Sequence, residues 1–267
     1  MIDKKRIRGL SELLLEAHYA GKAFIVEPRH FLESEHEAYW VQEVVLRGLD
    51  PRRPKSWKVS PPREGVESFG APTPLSAVHV SPARFAAASR VLGVEAEVAF
   101  RFAKAPKGKG KRADIESAID EAFVLIELCQ SRFLNWEEAP ALCRIADLQS
   151  HGGFALGSGT RDWRAIDFSA QAVELRLNGK TVAAKTGSHP CGDPLALVAW
   201  AAAHCHSRGM PLAAGDIVTT GTWTGMTPIA RGDEVVARFE GIGEARLAMT
   251  DAGAARELEG ALRREGE

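Results

Sequence analysis

The sequence predicts an α+β fold, and three observations predict it. Apolar residues recur at helical spacing near the start, as Ile7, Leu10, Leu13, Leu14 and Ala17. After Pro54 the helical period gives way to short apolar runs of strand length. In the second half, Asn178-Gly179 between two alternating segments marks a type I′ β-hairpin. Helices first and strands later is the α+β pattern rather than that of regularly alternating βα units.

The elements follow in order. After the first helix, a second starts at Ser34, with Glu37 three residues on as a capping box. It stops before Asp50-Pro51, because proline cannot continue a helix. Trp57-Lys58-Val59 and Ala77-Val78-His79-Val80 are strand candidates. Strands centred on Glu95 and Glu127 come next, with a helix capped by Asp114 between them. Val173 to Leu177 and Thr181 to Lys185 flank the Asn-Gly turn. A helix then takes Asp193 as its N-cap and Pro194 as its first residue, runs through Trp200 and stops at Gly209. Asp216 to Thr222, Glu234 to Phe239 and Ala245 to Met249 complete the strands, and the charged tail after Thr250 is expected to be helical.

Composition narrows the function. A chain of 267 residues with 45% hydrophobic and 26% charged residues reads as a soluble globular protein of one large domain, or of a main domain with a smaller lobe. A net charge of -1 gives no general attraction to nucleic acid or to an anionic membrane. The basic start, Met1 to Leu10, leads into no apolar run of signal-peptide length, and no stretch approaches a membrane span. Cys129, Cys143, Cys191 and Cys205 show no paired or metal-type spacing and read as reduced thiols of a cytoplasmic protein.

The chemistry concentrates in Gly93-Val94-Glu95-Ala96-Glu97-Val98-Ala99-Phe100. A strand alternates faces, so Glu95 and Glu97 share one face while Val94, Ala96 and Val98 take the other. Two carboxylates side by side repel, and more so away from water; a divalent cation turns that repulsion into coordination. Glu127 stands alone in the apolar run Phe123-Val124-Leu125-Ile126-Glu127-Leu128-Cys129, where a lone carboxylate is costly unless paired or metal-bound. Glu95, Glu97 and Glu127, read as having no His or Cys nearby, form a hard oxygen site for Mg2+ or Mn2+ rather than Zn2+. The bland alternative is a solvated Glu95-Glu97 face with Glu127 paired to Arg132.

Other residues fit around that centre. Lys58, between Trp57 and Val59, is a candidate catalytic cation, since three glutamates need a positive group to hold an anionic ligand or relay a proton. Arg132 suits a carboxylate fork, orienting Glu127 or another carboxylate, or binding a substrate. Thr219-Thr220-Gly221-Thr222 ends a strand before a turn, where the hydroxyls of Thr220 and Thr222 and backbone N–H groups can bind a substrate carboxylate. Lys107 to Arg112 is basic and glycine-rich but lacks phosphate-loop spacing, and reads as a solvated loop. His204-Cys205-His206 looks metal-like, yet histidines two apart on a helix diverge.

These segments resemble the 2-keto-4-pentenoate hydratase and 4-oxalocrotonate decarboxylase branch of the fumarylacetoacetate hydrolase superfamily. The resemblance is carried by Ser56-Trp57-Lys58-Val59, the Glu95 and Glu127 segments through Trp136, and Ala146-Asp147 to Gly157. His189-Pro190, Pro194 to Trp200, Gly215 to Thr222 and Arg238 to Gly243 extend it. It implies an N-terminal lobe over residues 1–70 and a β-rich catalytic domain over 71–267 with the metal at its mouth. It also implies service of Lys58 and Thr222 at the active site, and a place in aromatic catabolism. The hydratases carry an aspartate base in the strand after the lysine. Here Pro74 to His79 holds none: direct alignment puts Val78 there, and a one-residue shift puts His79 there as an acid–base group. The implied activity is that of a Mg2+- or Mn2+-dependent lyase on a small unsaturated 2-oxo acid, hydrating a 2-hydroxypenta-2,4-dienoate. Decarboxylation of a 2-oxo-enedioate is the alternative, as is C–C hydrolysis of an acylpyruvate, for which only His30 and Glu33 offer a base. A homo-oligomer is expected, and a non-catalytic partner subunit of a decarboxylase is the alternative outside enzymes.

Overall fold

The computed structural model describes residues 4–62, 67–86, 90–107 and 111–250. Two helices come first, α1 (Lys4–Ala20) and α2 (Glu35–Leu49), followed by β1 (Ser56–Ser60), β2 (Phe69–Pro72), β3 (Val78–Val80) and β4 (Ala83–Ala86). The long β5 (Arg90–Phe102), the short α3 (Arg112–Ala118) and the long β6 (Ile119–Ser131) form the centre of the chain. Then come α4 (Ala141–Ala146), β7 (His151–Thr160), the hairpin of β8 (Ala172–Leu177) and β9 (Lys180–Thr186), and α5 (Pro194–Ser207). The strands β10 (Ile217–Thr219), β11 (Glu234–Phe239) and β12 (Gly243–Thr250) complete the set.

Local signals set most of these elements. Ser34 caps α2 by accepting from Glu37 N, while the Glu37 carboxylate turns back one residue further, to Glu33 N. The Asn178-Gly179 turn has φ of 51° and 77°, the pair of left-handed residues that a type I′ turn requires. Asp193 caps α5 through Leu195 N, with Pro194 behind it, and Gly209 at φ 73° ends it. The cap of α3 is Lys111, and Asp114 lies in its first turn instead, where a carboxylate favours the helix dipole. The strand expected from Asp216 to Thr222 is shorter, because the chain leaves the ladder after Thr219. The expected helix after Thr250 lies outside the described residues, as do residues 108–110 of the basic loop.

Two sheets pack face to face. One has seven strands in the order β2-β1-β10-β5-β6-β7-β3, and the other five in the order β4-β12-β11-β8-β9. Val94, Ala96 and Val98 of β5 and Val124, Ile126 and Leu128 of β6 pack in the core with Val235, Ala237 and Phe239 of β11, all of them buried. The helices have a separate core: the α1 stripe Ile7, Leu10 and Leu14 meets Ala38, Val41 and Val45 of α2 and the later residues Phe133, Cys143, Ala146 and Leu148. A division at residue 70 therefore does not follow the architecture. β1 and β2 belong to the large sheet, and residues 133–148 return to the helical lobe.

Candidate metal centre

The helical lobe meets the seven-stranded sheet just past the end of β6, where Phe24 bridges Phe133. The antiparallel register places Glu95 directly opposite Glu127, with Glu97 opposite Leu125. All three carboxylates thus share the face turned away from the large core. Glu97 and Glu127 are buried and Glu95 is half-buried. β10 lies between β5 and β1 and aligns Trp57 with Val218. Lys58 therefore reaches the carboxylate face, where its Nζ lies 2.5 Å from Glu127 Oε1 and donates to the Gln149 carbonyl at 2.9 Å. His151, at the start of β7, brings Nδ1 to 3.2 Å from the same Oε1. Gly221 N donates to Glu97 Oε2 at 3.1 Å. A Glu95 oxygen, a Glu127 oxygen and Cys129 Sγ lie within 4.8 Å of one another.

Electrostatics sharpen the picture. Burial pushes the Glu97 carboxyl well above its usual range, and the charges of Glu127 and Glu95 push it further. Burial also acts against charged Glu127, but Lys58 and His151 outweigh it and hold its pKa low. Lys58 is burdened by burial in turn, yet Glu127 and its neighbours raise its pKa and keep it an ammonium. Burial lowers His151 and raises Cys129, so both rest neutral. Among the described residues, the Lys58 ammonium is bonded to Glu127 on a face that carries three carboxylates. A divalent cation fits this donor set: two opposed carboxylates and a third driven toward protonation are the groups that coordination relieves.

The neighbourhood also corrects the sequence reading. Cys129 and His151 do lie beside the carboxylates, against the expectation of no His or Cys nearby. Cys129 was readable, since it stands two residues from Glu127 on the same strand face. Arg132 is not on Glu127. Its Nε donates to Asp147 Oδ1 at 2.5 Å, Nη2 to the Asp147 carbonyl at 2.8 Å and Nη1 to the His151 carbonyl at 2.8 Å. That leaves it as scaffold beneath His151 rather than as a free substrate fork. Thr220 donates its hydroxyl to Val98 O, and the Thr222 hydroxyl accepts from Gly225 N, so both serve the local backbone. Thr219, which aligns with Ala99, is the threonine on the carboxylate face, beside Glu97.

His79 is on the wrong face for the carboxylates. β3 pairs Val78 with Phe154 and His79 with Ala155, while β6 pairs Glu127 with Phe154. Val78 therefore shares the face of Glu127, and His79 turns to the opposite side, edge-on to Phe85 at 5.0 Å. His30 meets Glu27 N and Arg29, and Glu33 pairs with Arg6, so no His30–Glu33 pair forms. His204 stacks on Trp200 at 4.6 Å while His206 is exposed, which leaves that trio without a common site.

Residues 50–249 match the family model described as fumarylacetoacetate (FAA) hydrolase C-terminal. The chain belongs to the fumarylacetoacetate hydrolase family. It is 30% identical over 223 residues to 2-keto-4-pentenoate hydratase 2 of Dechloromonas aromatica, covering 79% of this chain and 85% of that one. It is also 30% identical over 158 residues to 2-hydroxyhexa-2,4-dienoate hydratase of Comamonas testosteroni, covering 59% of this chain and 60% of the relative. That match spans less than two thirds of the relative's length. The fold is similar to that of 4-oxalocrotonate decarboxylase from Pseudomonas putida G7, solved with magnesium and adipate. The TM-score is 0.83 at 22% identity, over 93% of this chain and 99% of that one.

Proposed function

We propose that the chain is a divalent-metal-dependent lyase acting on small unsaturated 2-oxo acids, in the manner of a 2-keto-4-pentenoate hydratase. One observation carries this reading. Glu95 and Glu127 oppose each other across β5 and β6, Glu97 lies one pleat along, and Lys58 is bound to Glu127. The family membership and the relatives named as hydratases support it.

Glu95, Glu97 and Glu127 would hold the ion, and an oxygen donor set suits Mg2+ or Mn2+. When bound, the ion supplies a Lewis acid for negative charge developing on a 2-oxo oxygen. Lys58 remains protonated among these groups, so it acts as a donor: it holds the substrate's carboxylate and returns protons rather than removing them from carbon. Glu127 and the Gln149 carbonyl fix the ammonium in place, which limits the reorganisation needed when a ligand arrives. Arg132, through Asp147 and the His151 carbonyl, fixes the backbone that carries His151.

Decarboxylation of a 2-oxo-enedioate is a second reading, favoured by Val78. That side chain stands on the carboxylate face, and direct alignment to the hydratase pattern puts it where those enzymes have an aspartate base. Incubation of the Mg2+-loaded protein with 2-hydroxypenta-2,4-dienoate and with 2-oxohex-3-enedioate tests both. Loss of dienol absorbance with formation of a 4-hydroxy-2-oxo acid supports hydration, and release of carbon dioxide from the dioate supports the second reading. Turnover of neither, by protein that binds Mg2+, overturns the lyase assignment.

A further inference from the structure

α1 and α2 run side by side in the same direction. Arg6 joins their starts by bonding Glu33 and Glu37, and at their ends the Tyr19 hydroxyl donates to the Gly48 carbonyl. One flank of the pair packs into the lobe core, through Leu10 and Leu14 of α1 and Val41 and Val45 of α2. The outer flank carries a groove of about 370 Å3. Ile7 and Leu15 of α1 and Trp40 and Val44 of α2 line it, with Lys4, Arg8 and Glu12 along its rim. Trp40 is 43% exposed and Val44 is 37% exposed. They stand one turn apart on one ridge of α2, next to His36, which meets the Trp40 ring edge-on at 6.0 Å and is itself exposed. An exposed aromatic ring beside an apolar groove is the anchor and pocket of a protein interface.

The charges along the two helices say which partner fits. On α1 the exposed residues at i, i+4 spacing are Lys4, Arg8, Glu12 and Glu16, two positive and then two negative. On α2 the order is reversed: Glu33 and Glu35 stand at its start and Arg47 near its end, all exposed. A two-fold interface has to be complementary to itself, residue i meeting j and j meeting i. An axis that crosses α1 beside Leu10 and α2 beside Gln42 meets that condition, laying a second copy antiparallel on the first. Lys4 then faces Glu16 of the second copy, Arg8 faces Glu12, Trp40 faces Val44, and Glu35 comes opposite the end of α2 that carries Arg47. One axis serves both helices, because Arg6 lies level with Glu33 and Glu37, and Leu15 lies level with Gly48. A foreign partner gives no reason for a charge pattern that inverts about one point, and a second copy does.

We propose that the outer face of α1 and α2 is an interface between two copies of this chain. Trp40 of each copy sits over Val44 and the groove of the other, and the α1 charges pair across the axis. The proposal is independent of the metal centre, to which none of these residues belongs.

Sedimentation velocity of the full chain across the micromolar range tests it. The wild type should sediment as a dimer or an assembly of dimers, and Trp40→Asp should weaken the pairing about tenfold or more, as loss of a central aromatic anchor does. A charge exchange separates a second copy from any other occupant. Lys4→Glu with Arg8→Glu makes the α1 ridge wholly negative, and Glu12→Lys with Glu16→Lys makes it wholly positive. All four side chains are exposed, and the changes put acid nearer the start of the helix or base nearer its end, as the dipole favours, so both variants should keep the wild-type circular dichroism. Each alone should dissociate, and an equimolar mixture should recover the paired mass. A monomeric wild type, an odd-numbered assembly, or a mass that Trp40→Asp leaves unchanged overturns the proposal. So does a charge variant that pairs with itself, or a mixture that does not pair.

Discussion

Two buried charge clusters lie at the same end of β6, and they differ in kind. Arg132 and Asp147 are one cation and one anion, 2% and 0% exposed. The guanidinium donates to the Asp147 carboxylate and carbonyl and to the His151 carbonyl, and backbone N–H of Arg132 and the Ser131 hydroxyl complete the carboxylate. The second cluster sets Glu97 and Glu127, with half-buried Glu95 beside them, around the Lys58 ammonium, and among the described residues His151 Nε2 makes no hydrogen bond. Both clusters are buried apart from half-buried Glu95. Closure of charge and of hydrogen bonds makes the first a scaffold. The carboxylates gathered around one ammonium suit the second to the ion and ligand proposed for it.

The largest test of that contrast is Arg132→Met. It leaves Asp147 charged and buried without its partner, and breaking such a pair costs about 3–5 kcal/mol. For a chain of this size each kcal/mol corresponds to a melting shift of about 2–4 °C. A scanning calorimeter should record a large loss that Mg2+ does not repair; a near-wild-type melting temperature would show the pair to be dispensable. Lys58→Met comes next. Removing the ammonium takes away the cation that these carboxylates gather around, so the metal-free variant should melt lower than wild type, and saturating Mg2+ should recover much of the difference while turnover stays lost. Equal melting losses with and without Mg2+ would place Lys58 with the scaffold.

Glu97→Gln should act in the opposite direction. The folded pKa of Glu97 lies above its ordinary 4.5, because burial and then Glu127 and Glu95 disfavour its charge. A raised carboxyl contributes stability that is fully present below 4.5 and is lost as pH rises through the folded value. Glu127 has the reverse sign: its pKa is lowered, so its contribution is present above 4.5 and fades as pH falls through the lowered value. In EDTA the wild-type melting temperature should therefore decline from mildly acid pH upward. Glu97→Gln should flatten that decline, melt higher than wild type at neutral pH, and bind Mg2+ more weakly. A variant with lower metal-free stability at neutral pH would mean that Glu97 is not frustrated.

What the sequence made legible was what obeys a local rule. Period two put Glu95 and Glu97 on one face, the Asn178-Gly179 pair fixed its hairpin, and Asp193-Pro194 started α5. β7 escaped because Gly152, Gly153, Gly157 and Gly159 make it read as a loop. They are required by contact: a Cβ on Gly153 would meet the Phe85 ring, and one on Gly157 would meet the Glu244 carbonyl. Leu148, Gln149 and Ser150 all have positive φ, between 47° and 59°, which no residue type there advertises. That left-handed turn is what aims the Gln149 carbonyl at Lys58 and starts His151 on the carboxylate face.

The smallest expected effect belongs to His79, where the reading turned on one residue of register. A one-residue slip moves every side chain of a strand to the other face. The pairing of Val78 with Phe154, and of Phe154 with Glu127, places Val78 on the carboxylate face and leaves His79 against Phe85. His79→Asn should therefore keep Mg2+ affinity and turnover within about twofold, and the pH–rate profile should be unaltered. The cost is that of one edge-to-face aromatic contact, about 0.5–1.5 kcal/mol of stability. Val78→Asp is the paired experiment, because it puts a carboxylate on the same face of the sheet as Glu127. If turnover follows Val78 and ignores His79, the proton chemistry belongs to the carboxylate face. A large loss of activity in His79→Asn, with stability intact, would overturn the face assignment and return acid–base work to the opposite side of β3.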